Sequence, residues 1–182
     1  MDTSTNIHIR LSELKDIPAM SLVEHSAQTA FLTIPELAWV ADGHVLAHEE
    51  HRKAIMAKTS WVSEDKHSHR IIGFLSAEAL TTEFHLSEVS VHADFQRQGI
   101  GRKLIETAVQ YAASRGALTV TLTTFMNVPW NAPFYKKMGF DVIEDGSLGE
   151  RLSGLLLEEK SHGLSRDNRC AMRKSLAGLR QR

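Results

Sequence analysis

Three observations predict a mixed α/β fold (α+β) for this chain, with a mostly antiparallel sheet of six to seven strands flanked by helices. Strand-like segments follow one another from Ser60 to His92 with only short polar turns between them, as in an antiparallel meander. A glycine-spaced loop, QRQGIG, then leads from the last of them directly into a helical pattern. Beyond that helix, Leu118 to Phe125 alternates Leu, Val and Leu with threonines, and a strand reached through a helical crossover lies parallel to the one the chain left.

The elements follow in order. Ile7 to Leu11 alternates apolar and polar residues and reads as the first strand. Asp16 with Pro18 close behind starts a helix whose buried stripe is Met20, Leu22, Val23 and Ala27. LTIPELAWVADG, Leu32 to Gly43, carries Pro, Gly and an aromatic and reads as a surface loop, followed by a second helix from about Leu46 to Lys58. Strands are expected over Ser60 to Ser63, Arg70 to Ala77 and Phe84 to His92. Leu104, Ile105, Ala108, Val109 and Ala112 form the apolar stripe of the next helix, which Gly116 stops. A short helix to Met138, a strand at Phe140 to Ile143 and a last strand near Cys170 to Lys174 complete the set. Between these last two strands, Leu148 to Leu164 reads as a helix, either an amphipathic cover or a dimer face.

At 182 residues the chain suits one domain, 1–182, with a core of about 6–175. Hydrophobic residues at 42% and charged residues at 24% are ordinary for a globule. A formal net charge of -1 gives no global attraction to nucleic acid or to an anionic membrane, so neither is expected as a partner. No apolar run approaches a membrane span, and MDTSTNIHIR lacks the basic and apolar regions of an export signal. Cys170 stands alone, which excludes an internal disulfide framework and fits a reducing cytoplasm. The ten histidines are scattered without metal-site spacing, so no metal is expected. A homodimer stays open.

Chemistry concentrates in VSVHADFQRQGIG, Val89 to Gly101. Gln96, Gly99 and Gly101 have the spacing at which a chain leaving a strand turns and aims several N–H groups at one anion, at the start of a helix whose first turn leaves its donors unpaired. Arg102 and Lys103 add positive charge. Alone, QxxGxG could be an ordinary strand-to-helix turn. Its surroundings sharpen the reading: Glu88 lies on the incoming strand, and NAPFYKKMGF, Asn131 to Phe140, puts a tyrosine on a later helix.

This arrangement resembles the Gcn5-related N-acetyltransferase (GNAT) family, whose acetyl-coenzyme A motif is Q/R-x-x-G-x-G/A after a VxVxP-type strand, with an FYxxxGF helix beyond it. The resemblance covers about residues 6–175, its specific part 84–140. It implies a sheet splayed at strands 4 and 5, acetyl-coenzyme A as co-substrate and no metal. It places Val89, Val91, Gln96, Arg97, Gln98, Gly99, Ile100, Gly101, Arg102, Asn131 and Phe134 at the coenzyme, with Glu88 and Tyr135 as catalytic residues.

Transfer to an amine needs the amine neutral, which for a pKa near 10 holds for about one molecule in a thousand at pH 7, a cost of roughly 4 kcal/mol. Glu88 is the residue placed to lower it, as a base, through a relaying water, or only by positioning the ammonium. An unshifted carboxylate near pKa 4.3 lies about six units below the amine, so direct transfer requires a raised pKa or a relay. His85 and His92 flank it as further relays or as structural residues. By the resemblance, the backbone N–H near Val91 meets the charge that develops on the thioester carbonyl, and Tyr135 protonates the leaving thiolate. Tyr135 otherwise reads as a core tyrosine. The sequence departs from the family's NxxAxxFY pattern: Val128 holds the asparagine position, and Asn131 occupies the alanine slot as an N-cap candidate.

For the acceptor, Glu36, Trp39, Asp42, Glu49 and Glu50 on the first two helices and their loop, with Thr124, Phe125, Asn127 and Trp130 after the fifth strand, mix acids with aromatics. That mixture suits a small cationic amine. Glu36, Trp39, Thr124, Phe125 and Trp130 are its expected contacts. The alternatives are a protein acetyltransferase acting on lysine or an N-terminus, and a non-catalytic module that binds an acyl-coenzyme A.

Overall fold

The computed structural model describes residues 6–179; Met1 to Thr5, part of the stretch read for an export signal, lie outside the described residues, as do residues 180–182. The chain divides into two compact units, each described by itself.

The first unit, Met1–Ala79 with Leu86–Tyr111, carries β1 (Ile7–Leu11), α1 (Ile17–Gln28), α2 (His48–Met56), β2 (Ser60–Asp65), β3 (Ile71–Ala79), most of β4 (Glu83–Val91) and most of α3 (Ile100–Ser114). Its strands lie in the order β1-β2-β3-β4, with β1–β2 and β2–β3 antiparallel. Alternation along the strands gives each face its own helix. Val62 and Phe74 face each other across β2 and β3 and pack with Met20 and Val23 of α1. Trp61 and Leu75 form the neighbouring pair, and the Trp61 ring meets Tyr111 of α3 edge-on at 5.1 Å. All five residues of the expected α3 stripe are buried.

Two expectations are corrected in this unit. Leu22 is 71% exposed, while Glu24, four residues after Met20 and therefore on the same helix face, is buried. The stretch expected to loop from Leu32 to Gly43 is 3-10 helical over Thr29–Thr33 and Pro35–Asp42, with Leu37 and Ala41 turned into the protein. Apolar residues four apart supply the inward face, and Pro35 fits the first helical position.

The second unit, Leu80–His85 with Ala112–Arg182, begins with the first residues of β4, then β5 (Thr119–Phe125), α4 (Ala132–Lys137), β6 (Asp141–Val142), α5 (Glu150–Ser161) and β7 (Arg169–Ser175). Here the order is β4-β5-β7-β6. The parallel β4–β5 register pairs Glu83 to His85 with Thr119 to Thr121, as the crossover through α3 requires. Beyond those pairs β4 runs on through Val91. The last strand inserts between two earlier ones, antiparallel to both. Leu152 and Leu156 of α5 pack on Ile143 and Ala171, so this helix covers its unit's core. Seven mostly antiparallel strands with one parallel pair, flanked by helices, match the predicted fold class. Among the described residues no helix is long and apolar enough to cross a membrane, and no cluster of His, Cys, Asp and Glu could hold a metal.

Candidate active site

The loop after β4 is shaped by backbone conformation. A 3-10 turn over Ala93–Phe95 follows the strand, its first N–H groups capped by the His92 ring, which accepts from the Asp94 N–H at 3.3 Å. The chain then adopts left-handed φ at Arg97 (61°) and Gly99 (79°) before α3 starts at Ile100. A Cβ at Gly99 would meet nothing within 4 Å, so conformation rather than space calls for glycine there. Residues alternating into the left-handed region turn successive N–H groups toward one side, and the first turn of α3 adds donors without intrahelical acceptors. The Lys103 N–H closes that turn on the Gly99 carbonyl at 3.1 Å.

Within this unit the expected coenzyme residues fall into distinct roles. Arg97, Gln98 and Gly99 are exposed, and Ile100 is buried, so only its backbone is available to a ligand. The Gln96 side chain turns back and donates from Nε2 to the Val91 carbonyl at 3.1 Å. Arg102 pairs with Glu106 at 3.7 Å. Gly101 lies in the helix, where a Cβ would stand an ordinary 3.8 Å from Val91 Cγ2.

A glycine that the sequence reading passed over lets α3 sit close to the sheet. A Cβ at Gly73 of β3 would lie 3.2 Å from Ile100 Cγ2, 3.3 Å from Leu104 Cδ1 and 3.3 Å from the Ser90 carbonyl. Its signal was a glycine inside a strand pattern, which marks a close backbone approach.

Glu88 is half-buried, and Ser90 donates from Oγ to its Oε1 at 2.7 Å. Beside it stands a residue not singled out from the sequence, Glu24. Burial, reinforced by the negative charge of Glu88, pushes the Glu24 carboxyl well above the usual carboxylate range, to about 9, against the opposing pull of the Leu46 N–H. That N–H lies 2.9 and 3.1 Å from the two Glu24 oxygens. The signal was a polar residue on an apolar helix face.

The acceptor candidates of this unit, Glu36 and Trp39, are both exposed on the 3-10 helix Pro35–Asp42. Glu49 and Glu50 are engaged by Arg52 and Lys53 on their own helix, at 3.6 and 2.7 Å. Between α2 and β3 opens a cleft of about 290 Å³ whose walls include Leu46, Glu50, Ser76, Glu78 and Ser87.

In the second unit, Tyr135 sits on α4 and is 9% exposed, its ring edge-on to Phe134 at 5.4 Å and to Phe140 at 5.7 Å. Asn131 holds the N-cap position of α4 without a side-chain cap bond. Its Oδ1 is buried with no hydrogen-bond partner among the described residues. Val128, in the position where the family pattern has asparagine, belongs to the core. Thr124 and Phe125 are also buried, Phe125 with the Arg169 guanidinium 4.7 Å from its ring centroid, whereas Trp130 is partly exposed. His85 is committed to structure: its Nδ1 lies 3.0 Å from Thr121 Oγ1, Arg151 bridges it to Glu83, and burial pushes its pKa down to about 4, so the ring is neutral.

The comparisons with known proteins agree with this geometry. The model of the acetyltransferase (GNAT) family matches residues 25–140, and the chain belongs to that family. Among curated relatives, glucosamine 6-phosphate N-acetyltransferase of Schizosaccharomyces pombe is 35% identical over 43% of this chain and 74% of its own length. The [ribosomal protein bS18]-alanine N-acetyltransferase of Salmonella typhimurium is 29% identical over 40% of this chain, which spans about half of that relative, 49%. The crystal structure of PaiA N-acetyltransferase from Thermoplasma acidophilum, in complex with coenzyme A, superposes with a TM-score of 0.65 at 17% identity, over 93% of this chain and 98% of that one. At that identity the likeness is one of fold.

Proposed function

We propose that this chain is one N-acetyltransferase domain, 1–182, that carries the acetyl group of acetyl-coenzyme A directly to a primary amine in a ternary complex. The observation that carries the reading is the paired left-handed turn at Arg97 and Gly99, which opens α3 at the end of the strand bearing Glu88. N–H groups gathered there suit the coenzyme's pyrophosphate. The buried, unpartnered Oδ1 of Asn131 supports a further polar contact with the same co-substrate.

The chemistry divides among the residues already described. Glu88 takes a proton from the acceptor's ammonium, directly or through water, or holds that ammonium in place. The Val91 N–H donates to the thioester oxygen as negative charge gathers on it. As nitrogen bonds to the acetyl carbon and the carbon–sulfur bond breaks, Tyr135 gives the departing sulfur a proton.

The proposed acceptor is a small cationic amine. Exposed Glu36 and Trp39, with Glu78 in the neighbouring cleft, supply the acid and the aromatic face such a group would meet. A protein amino group is the second reading, favoured by the similarity to an enzyme named for a ribosomal protein's alanine. Thiol release from acetyl-coenzyme A, followed across polyamines, aminoglycosides, amino sugars and peptides, tests both. Turnover confined to peptides removes the small-molecule reading, and tight coenzyme binding with no turnover on any amine makes the chain an acyl-coenzyme A module.

A further inference from the structure

We propose that Glu24 is a positioning residue for the acceptor: it anchors Leu46 at the wall of the α2–β3 cleft and sets how strongly Glu88 holds a cationic group. The inference rests on the acetyltransferase reading above and deepens it.

The geometry is a cluster within one unit. Glu24 sits on α1, 5% exposed, and both its oxygens face the Leu46 N–H at the approach to α2. Leu46 is itself a wall of the cleft, as is Ser87, the neighbour of Glu88 on β4. No ion pair to Glu24 is found among the described residues, so the buried carboxyl is compensated only by a backbone dipole and by its own proton. Glu88 is the titratable group that acts on it. Those on other elements packed against α1, among them Asp16, Glu36, His51, Glu78 and Asp94, exert no comparable force on it.

Two carboxyls in one desolvated site do not ionise independently: while one is charged, the other keeps its proton. A cation beside Glu88 cancels the charge that holds the proton on Glu24. Glu24 then ionises more readily, and the proton goes to solvent. An ionised carboxylate accepts the Leu46 N–H more strongly than the neutral acid does, which tightens the cleft wall. By linkage, a cation must bind more tightly as pH rises toward the range in which Glu24 ionises.

The test uses hexamethonium, a bis-quaternary cation without a titratable proton, as a competitor of thiol release by the full chain. Its inhibition constant should fall at least tenfold between pH 7 and pH 9.5 in the unaltered protein and stay level in Glu24→Gln, with KM for acetyl-coenzyme A unchanged. An equal slope in both proteins overturns the role of Glu24 while leaving acetyl transfer intact. Infrared difference spectra provide a readout independent of turnover. The unaltered protein minus Glu24→Gln should show a protonated carboxyl at pH 7.5, and in Glu88→Gln that band should vanish at a pH lower by one unit or more. Absence of the band overturns the proposal even if no amine is acetylated. Should Glu24→Gln not fold, the titration of the band in the unaltered protein against Glu88→Gln decides, and an unshifted midpoint rejects it.

Discussion

The Gln96 side chain donates from Nε2 to the backbone carbonyl of Val91 at 3.1 Å, tying the loop that opens α3 to the last residue of β4. A glutamine in the expected anion cradle thus braces the cradle instead of lining it with its amide. Gln96→Ala should lower stability by about 1 kcal/mol. It should also raise KM for acetyl-coenzyme A more than it lowers kcat, because the loop loses its fixed entry angle. Denaturant melts and steady-state kinetics check both, and an unchanged KM would show that the brace does not matter to the coenzyme.

Gly99→Ala puts a side chain at φ 79°, in open space but in the left-handed region. The expected cost is about 1 kcal/mol or somewhat more, together with weaker coenzyme binding by calorimetry. Relaxation of the loop to negative φ would turn its N–H groups away from the anion.

Gly73→Val places new atoms against Ile100, Leu104 and the Ser90 carbonyl, where a Cβ alone would already stand within 3.2 to 3.3 Å. Overpacking of this kind costs about 1–3 kcal/mol. The start of α3 must move away from β3, so the melting temperature and the affinity for coenzyme A should fall together.

Glu88→Gln and Tyr135→Phe separate the two proton transfers. Loss of Glu88 should reduce turnover most at low pH, where neutral amine is scarce, and equal losses at every pH would exclude a base. Tyr135→Phe should reduce kcat by about a hundredfold with coenzyme affinity nearly unchanged. The ring contacts with Phe134 and Phe140 survive that substitution, so its melt should barely move.

Stability should peak between the acidic and alkaline limits. His85, held down to about 4 from 6.5, binds fewer protons folded than unfolded below pH 6.5, so its contribution is complete above that pH and is lost as the medium falls toward 4. Glu24, raised from 4.5 to about 9, binds more protons folded than unfolded, so its contribution is greatest below 4.5 and declines as pH rises toward 9. Melting temperatures from pH 4 to pH 9.5 should trace both limbs, and Glu24→Gln should flatten the alkaline one.

The sequence by itself determined which segments are strands and helices, the α3 stripe, the parallel crossover and the glycine-spaced loop, because periodicity and turn chemistry are local properties of the chain. Only the tertiary structure decided that the last strand inserts between β5 and β6, that Leu22 faces outward while Glu24 is buried beside Glu88, and that Gly73 gives α3 its close seat. Each of these depends on groups distant along the chain. A helical period can name the face on which Glu24 lies, but the pull on its proton comes from a carboxylate on another element, and that meeting exists only once the chain has packed.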